Sequence, residues 1–302
     1  MSTAATNPAR EPLPTPAPAG PFRRGRSAAA VAVLLAAALV AWIVTLQRMR
    51  GMDAGPGTDP GGFGWYLGIW VTMMAAMMLP SEARAVAIFA RLRGDAQTAV
   101  FVLGYLLAWT VCGIAAYVAY RGARAAEPSF LAWDEEGPWV AGGALAAAGL
   151  YQLTPLKSAC LRHCRSPLHF LLRGSPGALG ALRTGGEHGA VCIGCCGGLM
   201  LALFALGIMS LTWMGALAIA IAVEKVLPGG ATFARALAVA LVALGIWVAL
   251  APASVPGLTQ PGGMQMGMQT GKAMDDGMPL DAAGGGSSSK DPNTSMDMDM
   301  AP

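Results

Sequence analysis

Apolar and polar positions do not alternate finely along this chain. They are sorted into long blocks. Ser27 to Leu46 is an almost unbroken apolar run of about the 20 residues that cross a bilayer as a helix. After a Gly, Pro and Asp loop, Trp65 to Leu79 makes a second run that ends at Pro80 and can continue as a kinked helix toward Ala90. Ala99 to Tyr120 is a third, and Trp139 to about Leu156, rich in the small residues that let helices pack closely, is a fourth. Ala190 to Gly207 and Leu211 to Leu227 are joined by a short turn and predict an antiparallel hairpin. Phe233 to Leu250 is the last run. The pattern predicts an all-α integral membrane protein with about seven transmembrane helices in a bundle, or six if one marginal run does not cross.

The intervening segments are of two kinds. Residues 1–26 and 252–302 are built from Pro, Ala, Gly, Ser and Asp without apolar periodicity, and are expected to be disordered tails around a membrane domain at 27–251. The run from Ser27 follows the basic cluster Arg23, Arg24 and Arg26. It exceeds the about 7 to 15 apolar residues of a signal-peptide core, so a retained anchor is expected. The connection from Lys157 to Gly189 mixes apolar residues with Lys157, Arg162, Arg165, Arg173 and Arg183. It reads as an interfacial amphipathic segment.

Composition supports the membrane assignment: 55% of residues are hydrophobic and only 12% charged, too apolar for a soluble domain. The positive charges orient it. With the N-terminus cytoplasmic, most of the 20 lysines and arginines fall on the inner side, Lys157 and Lys225 among them, as positively charged loops favour. The C-terminal tail is then periplasmic or extracellular.

The candidate chemistry is concentrated between Cys160 and Cys196, which holds five of the six cysteines and all three histidines. At helical spacing His188, Cys192, Cys195 and Cys196 fall at about 0°, 40°, −20° and 80°, on one face. Cys160, His163 and Cys164 span an arc of about 100° if their segment is helical. Thiolate and imidazole suit Zn or Cu(I), and thiolate selects soft ions. Crowded cysteines beside histidines, with a CxxC at Cys192 and Cys195, point to metal or redox chemistry rather than a disulfide framework. His188 and Glu187, where the loop is expected to meet the membrane, could instead orient the ligands. His169 stands apart, and Cys112 reads as a packing residue. Glu82, just past Pro80, reads as interfacial or as part of an ion path.

Methionine extends the picture. Met73 with Met77 and Met74 with Met78 form two stacked pairs in the second run, which serve packing or, as thioethers, Cu(I). The C-terminal tail carries Met264, Met266, Met268, Met274, Met278, Met296, Met298 and Met300 on a hydrophilic segment where core packing cannot account for them. Thioethers remain Cu(I) ligands in an oxidising compartment where thiols pair. Copper is therefore the expected metal, as Cu(I), with Zn the alternative and a copper donor or acceptor protein as partner.

No phosphate-binding loop, HExxH helix or dinucleotide fingerprint is present, and nothing points to nucleic acid. Two other readings fit the cysteines: a membrane thiol-disulfide oxidoreductase using the CxxC pair, and a non-enzymatic assembly factor of another membrane complex.

The runs WVTMMAAMMLPSEA, GYLLAW, AAGLYQLTPLKSACLRHCRSPLHFLL, GALRTGGEHGAVCIGCCGGLM and WMGALAIAIAVEKVLPGG resemble a bacterial family of integral membrane proteins, domain of unknown function 2182, described as predicted metal-binding. The likeness covers about residues 65–250. It implies a bacterial inner-membrane protein and metal binding at Cys160, His163, Cys164, His188, Cys192, Cys195 and Cys196. It names neither the metal nor a transport activity, and the tails lie outside it.

Overall fold

The computed structural model describes residues 21–49, 61–125, 137–207, 210–227 and 229–255. Among these residues the regular elements are helices: α1 (Pro21–Met49), α2 (Phe63–Arg93), α3 (Asp95–Ala125), α4 (Gly137–Tyr151), α5 (Pro155–Arg165), α6 (Leu168–Arg173), α7 (Ala178–Leu206), α8 (Leu211–Val226) and α9 (Gly230–Leu250), closed by a short 3-10 turn at Pro252–Ser254. The Met-rich tail and most of the N-terminal tail lie outside the described residues.

Five of these helices are long and apolar enough to cross a membrane: α1, α2, α3, α7 and α9. The chain is an all-helical, multi-pass membrane protein. The expected count of seven is not reached on these grounds. Helix α4 has 15 residues and α8 has 16, which at about 1.5 Å per residue falls short of a hydrocarbon core of about 30 Å.

Several boundaries differ from the sequence reading: α1 begins at Pro21, inside the expected N-terminal tail, and the fourth run breaks after Tyr151, with Pro155 opening a new helix. Helix α2 runs unbroken through Pro80 to Arg93. Helix α7 begins at Ala178, so the first part of the supposed span at Ala190 was hidden in what looked like an interfacial loop. The physical reason is that its polar residues are satisfied within the helix. Arg183 pairs with Glu187 one turn on at 2.8 Å, and the Thr184 hydroxyl donates to the Gly180 carbonyl. The remainder of the supposed loop forms α5 and α6 rather than a single interfacial segment.

The helices pack as neighbours in pairs: α1 on α2, α3 on α7, α4 on α9, with α5 and α4 also against α7 and α8 against α2. In lipid, where apolar burial gives little drive for helix association, close approach and polar links hold such pairs. Gly142 and Gly245 show the first. A Cβ on Gly142 would stand 2.5 Å from the Gly245 carbonyl oxygen, and one on Gly245 would stand 2.6 Å from that of Gly142. Trp70 shows the second, its indole N–H donating to the Trp109 carbonyl at 2.8 Å to tie α2 to α3. Met73, Met74, Met77 and Met78 are all buried in the core of the bundle.

Candidate metal centre

Helix α5 is started by its own sequence. Thr154 caps it, its hydroxyl accepting the Lys157 N–H at 3.2 Å, and Pro155 takes the first turn, where no N–H is needed. Arg162 and Arg165 lie in its last turn, where cations favour the helix dipole. This register turns Lys157, Leu161 and Cys164, spaced four and three residues apart, toward the bundle, with Lys157 and Leu161 buried. Cys160 faces α7 as well: a Cβ on Gly194 would stand 2.7 Å from its sulfur. His163 points the other way. It is exposed, and its Nδ1 lies 2.9 Å from the Ala159 carbonyl of its own helix.

On α7, His188, Cys192, Cys195 and Cys196 are all buried. The sulfurs of Cys192, Cys195 and Cys196 lie within 4.8 Å of one another. Cys195 and Cys196 are 3.3 Å apart, and Cys164 reaches across from α5 to 3.5 Å from Cys195. All six cysteines are free thiols. For comparison, a metal with M–S bonds of about 2.3 Å in a tetrahedral shell spaces its sulfurs by about 3.8 Å. The three sulfurs of α7 could hold a metal ion, with Cys164 poised beside them.

His188 is engaged elsewhere. Its Nε2 lies 2.6 Å from Glu82 Oε2, in mid-helix rather than at a membrane-facing loop. Glu82 is buried too, and its other oxygen accepts from the Lys225 ammonium at 2.5 Å. Lys225 completes its three donor positions with Ser81 Oγ at 3.2 Å and Cys192 Sγ at 3.1 Å. Tyr105 places its hydroxyl 3.1 Å from the same sulfur. Cys192 thus sits in a polar pocket made by α2, α3 and α8. Nearby, Lys157 donates to both oxygens of Glu224 at 2.7 Å, a buried pair joining α5 to α8. The Cys164 thiol is pushed above its ordinary range, first by its hydrogen bond to Cys192 and also by burial.

Lys225, Tyr105 and the Lys157–Glu224 pair were not among the residues singled out by sequence. Lys157 and Lys225 had been counted as cytoplasmic charges orienting the chain. At 1% and 6% exposure they are interior, and that count loses both. The available signal was an ionisable residue inside an apolar segment, which in a membrane protein marks function by default. Cys112 is half-buried on α3, and the His169 side chain lies outside the described residues.

Fold and site together define a multi-pass helical membrane protein with a buried thiol cluster suited to a soft metal ion. The chain belongs to the PpoB2 copper chaperone family, whose family model matches residues 67–248. The match agrees with the resemblance to a metal-binding membrane family, and it carries the copper chaperone description rather than the name domain of unknown function 2182. No curated protein and no solved structure matches the chain.

Proposed function

We propose that this protein takes up Cu(I) on the thiols of Cys164, Cys192, Cys195 and Cys196 and hands it to an acceptor protein at the membrane. The observation that carries the reading is the convergence of the Cys192, Cys195 and Cys196 sulfurs within 4.8 Å in a buried setting. A crowded, water-poor thiolate set favours a soft monovalent ion that is content with two or three ligands. Zn(II) is the competing ion and would want a fourth, closed position, which Cys164 would supply. Cys160 stands next in line on α5. His163 faces away, and His188 serves by holding Glu82 and, through it, Lys225.

The orientation follows from the remaining basic residues of the sequence, with the N-terminus and α5 on the cytoplasmic side of the inner membrane. Seven crossings result if the short α4 and α8 also cross. Met264, Met266, Met268, Met296, Met298 and Met300 would then stand on the far side as accessory thioether ligands, where an acceptor collects the ion. Met73, Met74, Met77 and Met78 would lie between the two ligand sets.

Metal analysis tests the reading. Full-length protein purified in detergent is expected to carry copper, and a variant with Cys160, Cys164, Cys192, Cys195 and Cys196 changed to Ser is expected to carry none. Equal copper and zinc in the two proteins would end the proposal. Deleting residues 257–302 should lower copper tolerance in cells, and an unchanged response would reduce the tail to a linker.

A further inference from the structure

Cys192, Cys195 and Cys196 are at most 2% exposed, so an ion must reach them through something else. Among α2, α5 and α8 lies a cavity of about 190 Å³, and Ser81, Glu82, Arg84, Cys164, Arg165 and Lys225 line it. Two of these wall residues touch the cluster: Lys225, 3.1 Å from Cys192, and Cys164, 3.5 Å from Cys195, of which Cys164 alone brings a sulfur. At about 30 Å³ per water, the space holds roughly six waters. That admits the metal-bearing end of a small molecule, and excludes a protein helix of about 10 Å diameter.

The charges select what arrives. Glu82 has its carboxylate taken up by Lys225 and His188. Arg84 is exposed, and Arg165 is held at the rim by donating to the Leu227 carbonyl at 2.5 Å. A bare cation would meet these guanidiniums and be repelled. An anion would be drawn in.

We infer that this cavity is the port by which Cu(I) reaches the cluster, carried as the anionic complex of a small carboxylated thiol, and that Cys164 is its first protein ligand. The inference rests on the Cu(I) reading above and adds the carrier class and the order of ligands. In the first exchange a carrier sulfur–Cu bond breaks and a Cu–Sγ bond to Cys164 forms, while the Cys164 proton leaves on the carrier as free thiol. A second exchange repeats this at Cys195, 3.5 Å further on. Copper stays Cu(I) throughout, and no electron is transferred.

The test is stopped-flow loading of the full chain in detergent micelles, read by Cu(I)–thiolate absorbance. Cu(I) is supplied either as its glutathione complex, an anion, or as its acetonitrile complex, a cation. Cys164→Ser should lose the fast loading phase with both carriers yet still reach a copper-bound end point on the remaining cysteines, which also shows that it is folded. Ala83 also lines the cavity, and Ala83→Trp, which puts an indole into that space and leaves every cysteine in the sequence, should lose the same phase. Reversing Arg84 and Arg165 to Glu should slow loading from glutathione by about tenfold, the low end of electrostatic steering, and leave loading from acetonitrile no slower. Wild-type rates in both Cys164→Ser and Ala83→Trp would overturn the port. An equal effect of charge reversal on the two carriers would overturn the anionic carrier. Failure of the wild-type protein to take copper from either would overturn the copper reading itself, and the port with it.

Discussion

The Lys225 ammonium lies 3.1 Å from the Cys192 sulfur and reaches it from another helix, inside the interior of a membrane protein. An ammonium in such a place is expensive unless every donor is used. Here the three are shared among Glu82, Ser81 and Cys192. The arrangement gives a copper thiolate at Cys192 a fixed counter-charge that is in place before the ion arrives.

Replacing Lys225 by Gln should therefore weaken Cu(I) binding without abolishing it. A hydrogen bond to a charged group is worth about 1.5–3 kcal/mol, which corresponds to about a ten- to hundredfold loss of affinity. Competition titration against a chromophoric Cu(I) chelator measures this directly. Affinity equal to wild type would mean that Lys225 serves only to neutralise Glu82.

The Lys157–Glu224 pair makes a different claim, about the frame rather than the ligands. Both side chains are at most 2% exposed and the ammonium donates to both carboxylate oxygens, pinning α5 to α8. Removing one partner leaves a buried charge alone and should cost about 3–5 kcal/mol, whereas a paired apolar replacement should cost much less. Thermal unfolding in micelles, followed by circular dichroism, should show a large drop in midpoint for Lys157→Met. Most of that drop should be regained in Lys157→Met with Glu224→Leu. If the two single losses simply add in the double variant, the residues do not act as a pair.

What the sequence could and could not reveal follows from the range of each interaction. Cys192, Cys195 and Cys196 sharing a face of α7 is local arithmetic, and so is the facing of Cys164, a turn beyond Cys160 on α5. The Glu82–His188 bond joins residues 106 positions apart, and helical periodicity carries no information about such a pairing. Lys225 misled for a related reason. It lies near the end of an apolar run and was counted as a cytoplasmic charge, although it and the preceding Glu224 each find a separate buried partner. The start of α7 was hidden because Arg183, Glu187 and His188 suggested water, while the helix pairs the first two on its exposed side and turns the third inward.

Adjacent glycines on α4 give the most discriminating check of how the site is held. Helix α4 is short, and it ends at Tyr151, whose hydroxyl donates to the Gly194 carbonyl at 2.5 Å, between the cysteines of α7. The seating of α4 on α9 therefore bears on the metal centre. At Gly142 an added methyl would press on the Gly245 carbonyl, while at Gly143 it would meet nothing within 4 Å. Gly142→Ala should destabilise by about 1–3 kcal/mol, the usual cost of overpacking. Gly143→Ala should be neutral or gain up to about 1 kcal/mol from its lower unfolded-state entropy. The two proteins differ only in the position of one methyl. A lower unfolding midpoint and reduced copper content in the first alone would tie the α4–α9 contact to the site. Equal midpoints would mean that the two helices do not meet at the glycine pair.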